Sequence, residues 1–147
     1  MTLWNKETSL WLARAVAICT VFAMFVFSGG RVSADDKWVA PDDAKAVKNP
    51  LPATPENLAA GAQAYQMKCL LCHGEKGMGD GAVGKTLEPK PANFADAKFM
   101  STETDGSLFW KMTTGRGPMP SWKDASPEKE RWQLVIYIRK LGKDASK

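Results

Sequence analysis

The 147-residue chain holds one histidine, His73, and three cysteines, Cys19, Cys69 and Cys72. A single imidazole excludes metal sites built on two histidines and any relay of protons between histidines. Three cysteines, two of them three positions apart, are too few and too clustered for a disulfide scaffold. Charge of one sign is also scarce. Twenty basic against sixteen acidic residues leave a net charge of +4, which gives no basic stripe for nucleic acid. Residues 35–147 contain six Val and Ile in all and nowhere alternate apolar and polar with period two, so strands are not expected and the chain is read as all-α.

The opening segment reads as targeting rather than fold. Lys6 and Arg14 precede an uncharged run over 15–27, and Gly29, Gly30 and Val32-Ser33-Ala34 follow, a pattern that suits a signal peptide spanning 1–34 and cut before Asp35. The rival is an N-terminal membrane anchor. Its uncharged length, 15–30, gives roughly 24 Å of helix against a hydrocarbon core of about 30 Å, so cleavage is the favoured reading. Cys19 lies inside this run and counts as a small apolar residue.

Residues 35–53, with Pro41, Pro50 and Pro52, are expected to form an extended leader, and 54–147 the domain proper. Thr54-Pro55-Glu56 supplies a helix start: a capping hydroxyl, a proline at the first helical position and an early acid. Leu58, Ala62, Tyr65 and Cys69 continue at helical spacing. A glycine-rich loop over 74–84 follows, then a short helical turn near 95–100 and a helix over about 105–114 stopped by Gly115. The last helix is capped by Ser126-Pro127-Glu128, presents Leu134, Tyr137, Ile138 and Leu141, and ends at Gly142.

The chemistry is concentrated in Cys69-Leu70-Leu71-Cys72-His73, the C-x-x-C-H attachment signature of haem c. Two thiols on one turn add to the two vinyl groups of one porphyrin edge, and the adjacent imidazole is carried beneath the iron. The lone histidine falls at the position where this motif requires it. A zinc site lacks a fourth ligand, and a thioredoxin-like redox pair lacks the strand it needs before the motif. The iron's second axial ligand then has to be a methionine thioether. Met67 sits on the attachment helix and cannot reach the opposite face, and Met112 falls inside a helix. Met119 stands in Gly115-Arg116-Gly117-Pro118-Met119-Pro120, where prolines stiffen the loop that presents it. Met119 is the assigned ligand, with Met100 and Met78 as alternatives.

With those residues in place, 54–142 resembles the class I cytochrome c family. Gly61-x-x-x-Tyr65-x-x-x-Cys69 is similar to the family's first helix and Leu134-x-x-Tyr137 to the facing side of its last. The resemblance implies a small fold whose N- and C-terminal helices cross around one covalently bound haem, with Tyr137 filling a notch at Gly61. It further implies a proline carbonyl that accepts a hydrogen bond from the haem histidine. Pro89 and Pro91 compete for that role, and Pro91 is preferred. Trp122 and Arg116 are candidates to meet the propionates. Lys68, Lys76, Lys85 and Lys90 are read as solvated surface, and the glycines of Gly77-Met78-Gly79-Asp80-Gly81 as tight turns rather than a phosphate loop.

The function expected from this reading is electron transfer without catalysis: a monohaem cytochrome, exported to the periplasm, either a soluble carrier or a subunit of a membrane-bound respiratory oxidoreductase. Its partners are redox proteins, not nucleic acid. The alternative is a haem enzyme or gas sensor with an open sixth position, which a methionine held between two prolines disfavours.

Overall fold

A computed structural model describes residues 37–145. The expected targeting segment, 1–34, lies outside them. Among the described residues there is no β-strand, and no helix is long and apolar enough to cross a membrane. The helices are α1 (Asp42–Ala46), α2 (Pro55–Lys68), α3 (Leu70–His73), α4 (Ala97–Thr102), α5 (Asp105–Thr114) and α6 (Glu128–Asp144), with a 3-10 turn at Gly84–Thr86.

Local chemistry sets the ends of the main helices. Thr54 caps α2, its hydroxyl accepting from the Asn57 N–H at 3.3 Å, and Pro55 occupies the first turn, where no N–H is needed. Thr104 caps α5 in the same way through the Ser107 N–H. Gly115, at φ +68°, ends that helix in a conformation that favours glycine.

The core forms where α2 crosses α6. Tyr65, Leu134 and Val135 are fully buried there, joined by Trp132, Ile138 and Leu141; each large side chain so buried contributes about 1.5–3 kcal/mol. The crossing is close because Gly61 has no side chain. A Cβ at that position would stand 2.1 Å from the Gln133 carbonyl oxygen and 3.1 Å from the Tyr137 Cβ. The notch therefore holds the α6 backbone, while the Tyr137 ring lies 5.2 Å from the Tyr65 ring. The Tyr65 hydroxyl donates to the Gly74 carbonyl at 2.8 Å, tying α2 to the turn that follows α3.

Three expectations need correcting. Ser126 does not cap α6: its hydroxyl accepts from Lys68 Nζ at 2.8 Å, and the cap position is Pro127. Gly142 does not end α6, which continues to Asp144. This glycine serves close approach instead, since a Cβ would lie 3.0 Å from the Phe94 carbonyl oxygen. The segment read as an extended leader carries one turn of helix, α1, and is packed down. Ala40 is buried, Thr104 Oγ1 donates to the Lys45 carbonyl, and Asn49 Nδ2 donates to the Trp132 carbonyl. Gly106 admits this strap: a Cβ there would be 2.0 Å from the Ala44 oxygen and 2.7 Å from that of Val47.

Candidate haem-binding site

The attachment turn is held from both sides by backbone. The His73 and Gly74 N–H groups bond the carbonyls of Cys69 and Leu70, closing α3. The loop that follows folds back on this turn: the Gly79 N–H donates to the His73 carbonyl at 2.8 Å and the Val83 N–H to that of Leu71 at 3.0 Å. Gly84 approaches so closely that a Cβ would sit 1.9 Å from the Cys72 carbonyl oxygen. The glycines of 74–84, read from the sequence as tight turns, also let two backbone segments touch.

Cys69 and Cys72 are half-buried free thiols one turn apart. Cys69 packs against the hydrophobic core, and burial pushes its thiol up to about 12. His73 is fixed in orientation. Its Nδ1 lies 3.2 Å from the Ala92 carbonyl oxygen, and its ring stacks on Phe94 with centroids 4.6 Å apart and planes 13° off parallel. Burial lowers its pKa, and the bond to Ala92 opposes that shift. An N–H at Nδ1 leaves Nε2 with its lone pair available, the tautomer a metal ligand needs.

The carbonyl that orients His73 belongs to Ala92 and not to Pro91 or Pro89. Pro91 directs its own carbonyl at Gly79, where a Cβ would come within 2.5 Å of it, so the next carbonyl along faces the imidazole. Sequence reasoning missed both Ala92 and Phe94. The only available signal was their place in Pro91-Ala92-Asn93-Phe94, beside the proline that the resemblance had singled out.

The methionines separate by environment. Met67 and Met78 are exposed, and Met100 and Met112 are buried in the packed core. Met100 reaches Gly142, its Cγ and Cε 3.5 and 3.7 Å from where a Cβ would stand there. Met119 is half-buried and packs on the core from a loop. That loop is closed by two bonds between Arg116 and Met119, at 2.9 and 3.1 Å. Its glycines have φ of +68° at Gly115 and +57° at Gly117. Trp122 packs on the same core with the Lys68 ammonium 6.0 Å from its ring centroid. Lys68 is not a solvated cation: it is clasped by Ser126, Glu130 and the Ala125 carbonyl. Arg116, Lys76, Lys85 and Lys90 are exposed.

These residues fit haem c. Among the described residues no three His, Cys, Asp or Glu side chains converge as a protein-only metal site would require. The attachment turn offers instead two thiols three positions apart and an imidazole held by its Nδ1, donors that would suit haem c, and the Met119 loop offers a thioether that packs on the same core.

Comparison with known proteins bears on the family and its cofactor. A family model described as cytochrome c oxidase, cbb3-type, subunit III matches residues 56–138. The chain is 27% identical over 99 residues to chloroplastic cytochrome c6 of Chlamydomonas reinhardtii, covering 64% of this chain and 61% of that protein. It is 28% identical over 85 residues to the cbb3-type cytochrome c oxidase subunit FixP of Bradyrhizobium sp. (strain ORS 278), covering 57% of this chain and 27% of that one. A solved chain of the Kuenenia stuttgartiensis reducing HAO-like protein complex superposes with a TM-score of 0.57 at 32% identity, over 65% of this chain and 49% of that chain. The chain thus spans about three fifths of the cytochrome c6, about a quarter of the FixP subunit and half of the solved chain. With the family match covering its attachment turn, its methionine loop and most of its last helix, the chain belongs to the cbb3-type cytochrome c oxidase subunit III family, as a class I c-type cytochrome that carries haem c.

Proposed function

We propose that the chain passes single electrons as an exported carrier, with His73 and Met119 as the axial ligands and Cys69 and Cys72 as the thioether anchors. Haem c, when bound, supplies an iron that alternates between the ferrous and ferric states. The protein's work is to hold that centre unchanged between the two. Ala92 and Phe94 keep the imidazole from turning, through one hydrogen bond and one stacked ring. The paired bonds between Arg116 and Met119, set between Gly115 and Pro120, keep the thioether from swinging away. A site held in one geometry reorganises little on oxidation, as a carrier requires.

The observation that carries the ligand reading is the placement of the methionines: Met119 alone among the described ones is both half-buried and on a loop. The relatives named as a cytochrome c6 and an oxidase subunit support work beside larger oxidoreductases, in the periplasm or an equivalent exported compartment. The test is substitution with spectroscopy. Met119→Ala should abolish the weak far-red methionine-to-iron band and lower the reduction potential by on the order of 0.1 V, within the roughly 0.8 V that axial ligands command. Met100→Leu and Met78→Leu should leave both nearly unchanged. Retention of the band in Met119→Ala, with its loss in either control, would move the ligand to that other methionine.

A further inference from the structure

Arg131, near the start of α6, is 7% exposed, and no carboxylate lies within 4 Å of it among the described residues. Its partly buried neighbours in charge are paired: Lys68 with Glu130, Lys111 with Glu103, Arg139 with Asp105. Arg131 instead gives one amino group, Nη1, to three backbone carbonyls, those of Trp122 at 3.2 Å, Lys123 at 2.7 Å and Ser126 at 3.0 Å. Its Cζ lies 5.1 Å from the centroid of the Phe109 ring, which in turn stacks on Trp132 at 3.9 Å. Nε is buried and bonds to no oxygen or nitrogen. A guanidinium buried without a counter-ion and with one N–H unpaired is costly, so what its remaining bonds secure is the informative point.

They secure the outgoing arm of the methionine loop. The start of that arm is pinned to α5, the Trp122 N–H donating to the Met112 carbonyl at 2.9 Å and Ser121 Oγ to that of Thr113 at 2.7 Å. From Trp122 to Ser126 the backbone is held by Arg131, whose planar head the Phe109 face keeps in position. Met119 lies three residues before Trp122, between its own turn and these anchors. We infer that Arg131 is a positioning residue for the Met119 ligand: by gathering three carbonyls of residues 122–126 it stops the loop from lifting, and so keeps exogenous ligands off the iron. The inference rests on the assignment of Met119 as axial ligand.

Imidazole added to the ferric holoprotein tests it, because it binds only the fraction of molecules in which the loop has lifted, and its apparent affinity scales with that fraction. Arg131→Met, which keeps the apolar stem and removes the donors, should tighten imidazole binding at least roughly tenfold, equivalent to about 1.4 kcal/mol of loop closure. Arg131→Lys keeps the charge but not the planar fork, and should tighten it by a smaller factor. Arg139→Met is the control. It removes a guanidinium that bonds Asp105 and the carbonyls of Met100 and Glu103, away from the loop, so it should lower the thermal midpoint without changing imidazole affinity. If Arg131→Met fails to accumulate as holoprotein, Arg131→Lys carries the test. Unchanged affinity in the Arg131 variants that fold, or equal tightening in Arg139→Met, overturns the inference while leaving Met119 as ligand. Persistence of the far-red band in Met119→Ala instead removes the ligand assignment, and the role of Arg131 falls with it.

Discussion

Replacing Gly61 by alanine sets two known effects against each other at one position. In an exposed helix the change would stabilise by about 1 kcal/mol, since glycine is the poorer helix former by that amount. Here the new Cβ meets the Gln133 carbonyl oxygen at 2.1 Å and its carbon at 2.8 Å, both backbone atoms of α6 that no rotamer change can move. Contacts below 3.0 Å are essentially never made by real Cβ atoms, so the helices must part by roughly 1 Å at their crossing. That separation loosens the packing around Tyr65, Leu134 and Val135. Overpacking costs typically 1–3 kcal/mol and occasionally more; a clash with rigid backbone belongs at the upper end. The net expectation is a loss of about 2 kcal/mol, or roughly 8–16 °C in the melting midpoint of a domain this size. Thermal unfolding of ferric holoprotein followed by far-ultraviolet circular dichroism measures it. Gly117→Ala is the comparison: nothing lies within 4 Å of its Cβ, so only the φ of +57° is unfavourable, and the loss should be about 1 kcal/mol. A Gly61→Ala midpoint equal to or above that of the parent would refute the close-crossing argument.

At the strap, Gly106→Ala should displace residues 40–48, because its Cβ would run into the Ala44 and Val47 carbonyls. Limited proteolysis should then cut there at least several-fold faster while α2 and α6 stay protected. The clasp between Lys68 and Glu130 predicts a pH dependence. The hydrogen bond from Lys68 holds the Glu130 carboxyl below its ordinary 4.5, so the bridge stabilises the fold above that pH and the benefit fades as pH falls through the lowered value. Glu130→Gln should therefore be less stable than the parent at pH 7, by about 1 kcal/mol for a single, partly exposed bridge. The two should converge once the pH falls below that lowered value, as read from urea midpoints.

Much of this architecture was legible because it rests on short-range chemistry. The α2 cap, the bounds of α5 and the C-x-x-C-H turn are each set by residues within four positions of one another. Gly61 and Tyr65 were found through a family resemblance, and the contacts then supplied the reason. What stayed hidden depends on long-range pairing. No spacing rule shows that Ser126 turns to Lys68, 58 positions away, instead of capping its own helix. A glycine reads as a stop from sequence, so Gly142 was placed at a helix end before Phe94 was known to press against it. Nothing in the sequence singles out Arg131, whose partners are carbonyls of residues 122–126. The choice of Ala92 over Pro91 turned on a single residue of register, which only the packing of Gly79 decides.

The α2–α6 crossing also orders events in time. Gln133 and Asn57, which bond across it, are 76 positions apart, and a contact of that span closes late because the intervening chain must first give up its freedom. A chain emerging from its N-terminus presents Cys69 and Cys72 long before α6, which completes the core that Cys69 packs against, has left the ribosome. For that interval the attachment turn is an exposed segment and not yet part of a core. With haem attached at Cys69 and Cys72 as proposed, the order of elements along the chain would leave the thiols open to a porphyrin first and close the last helix afterwards.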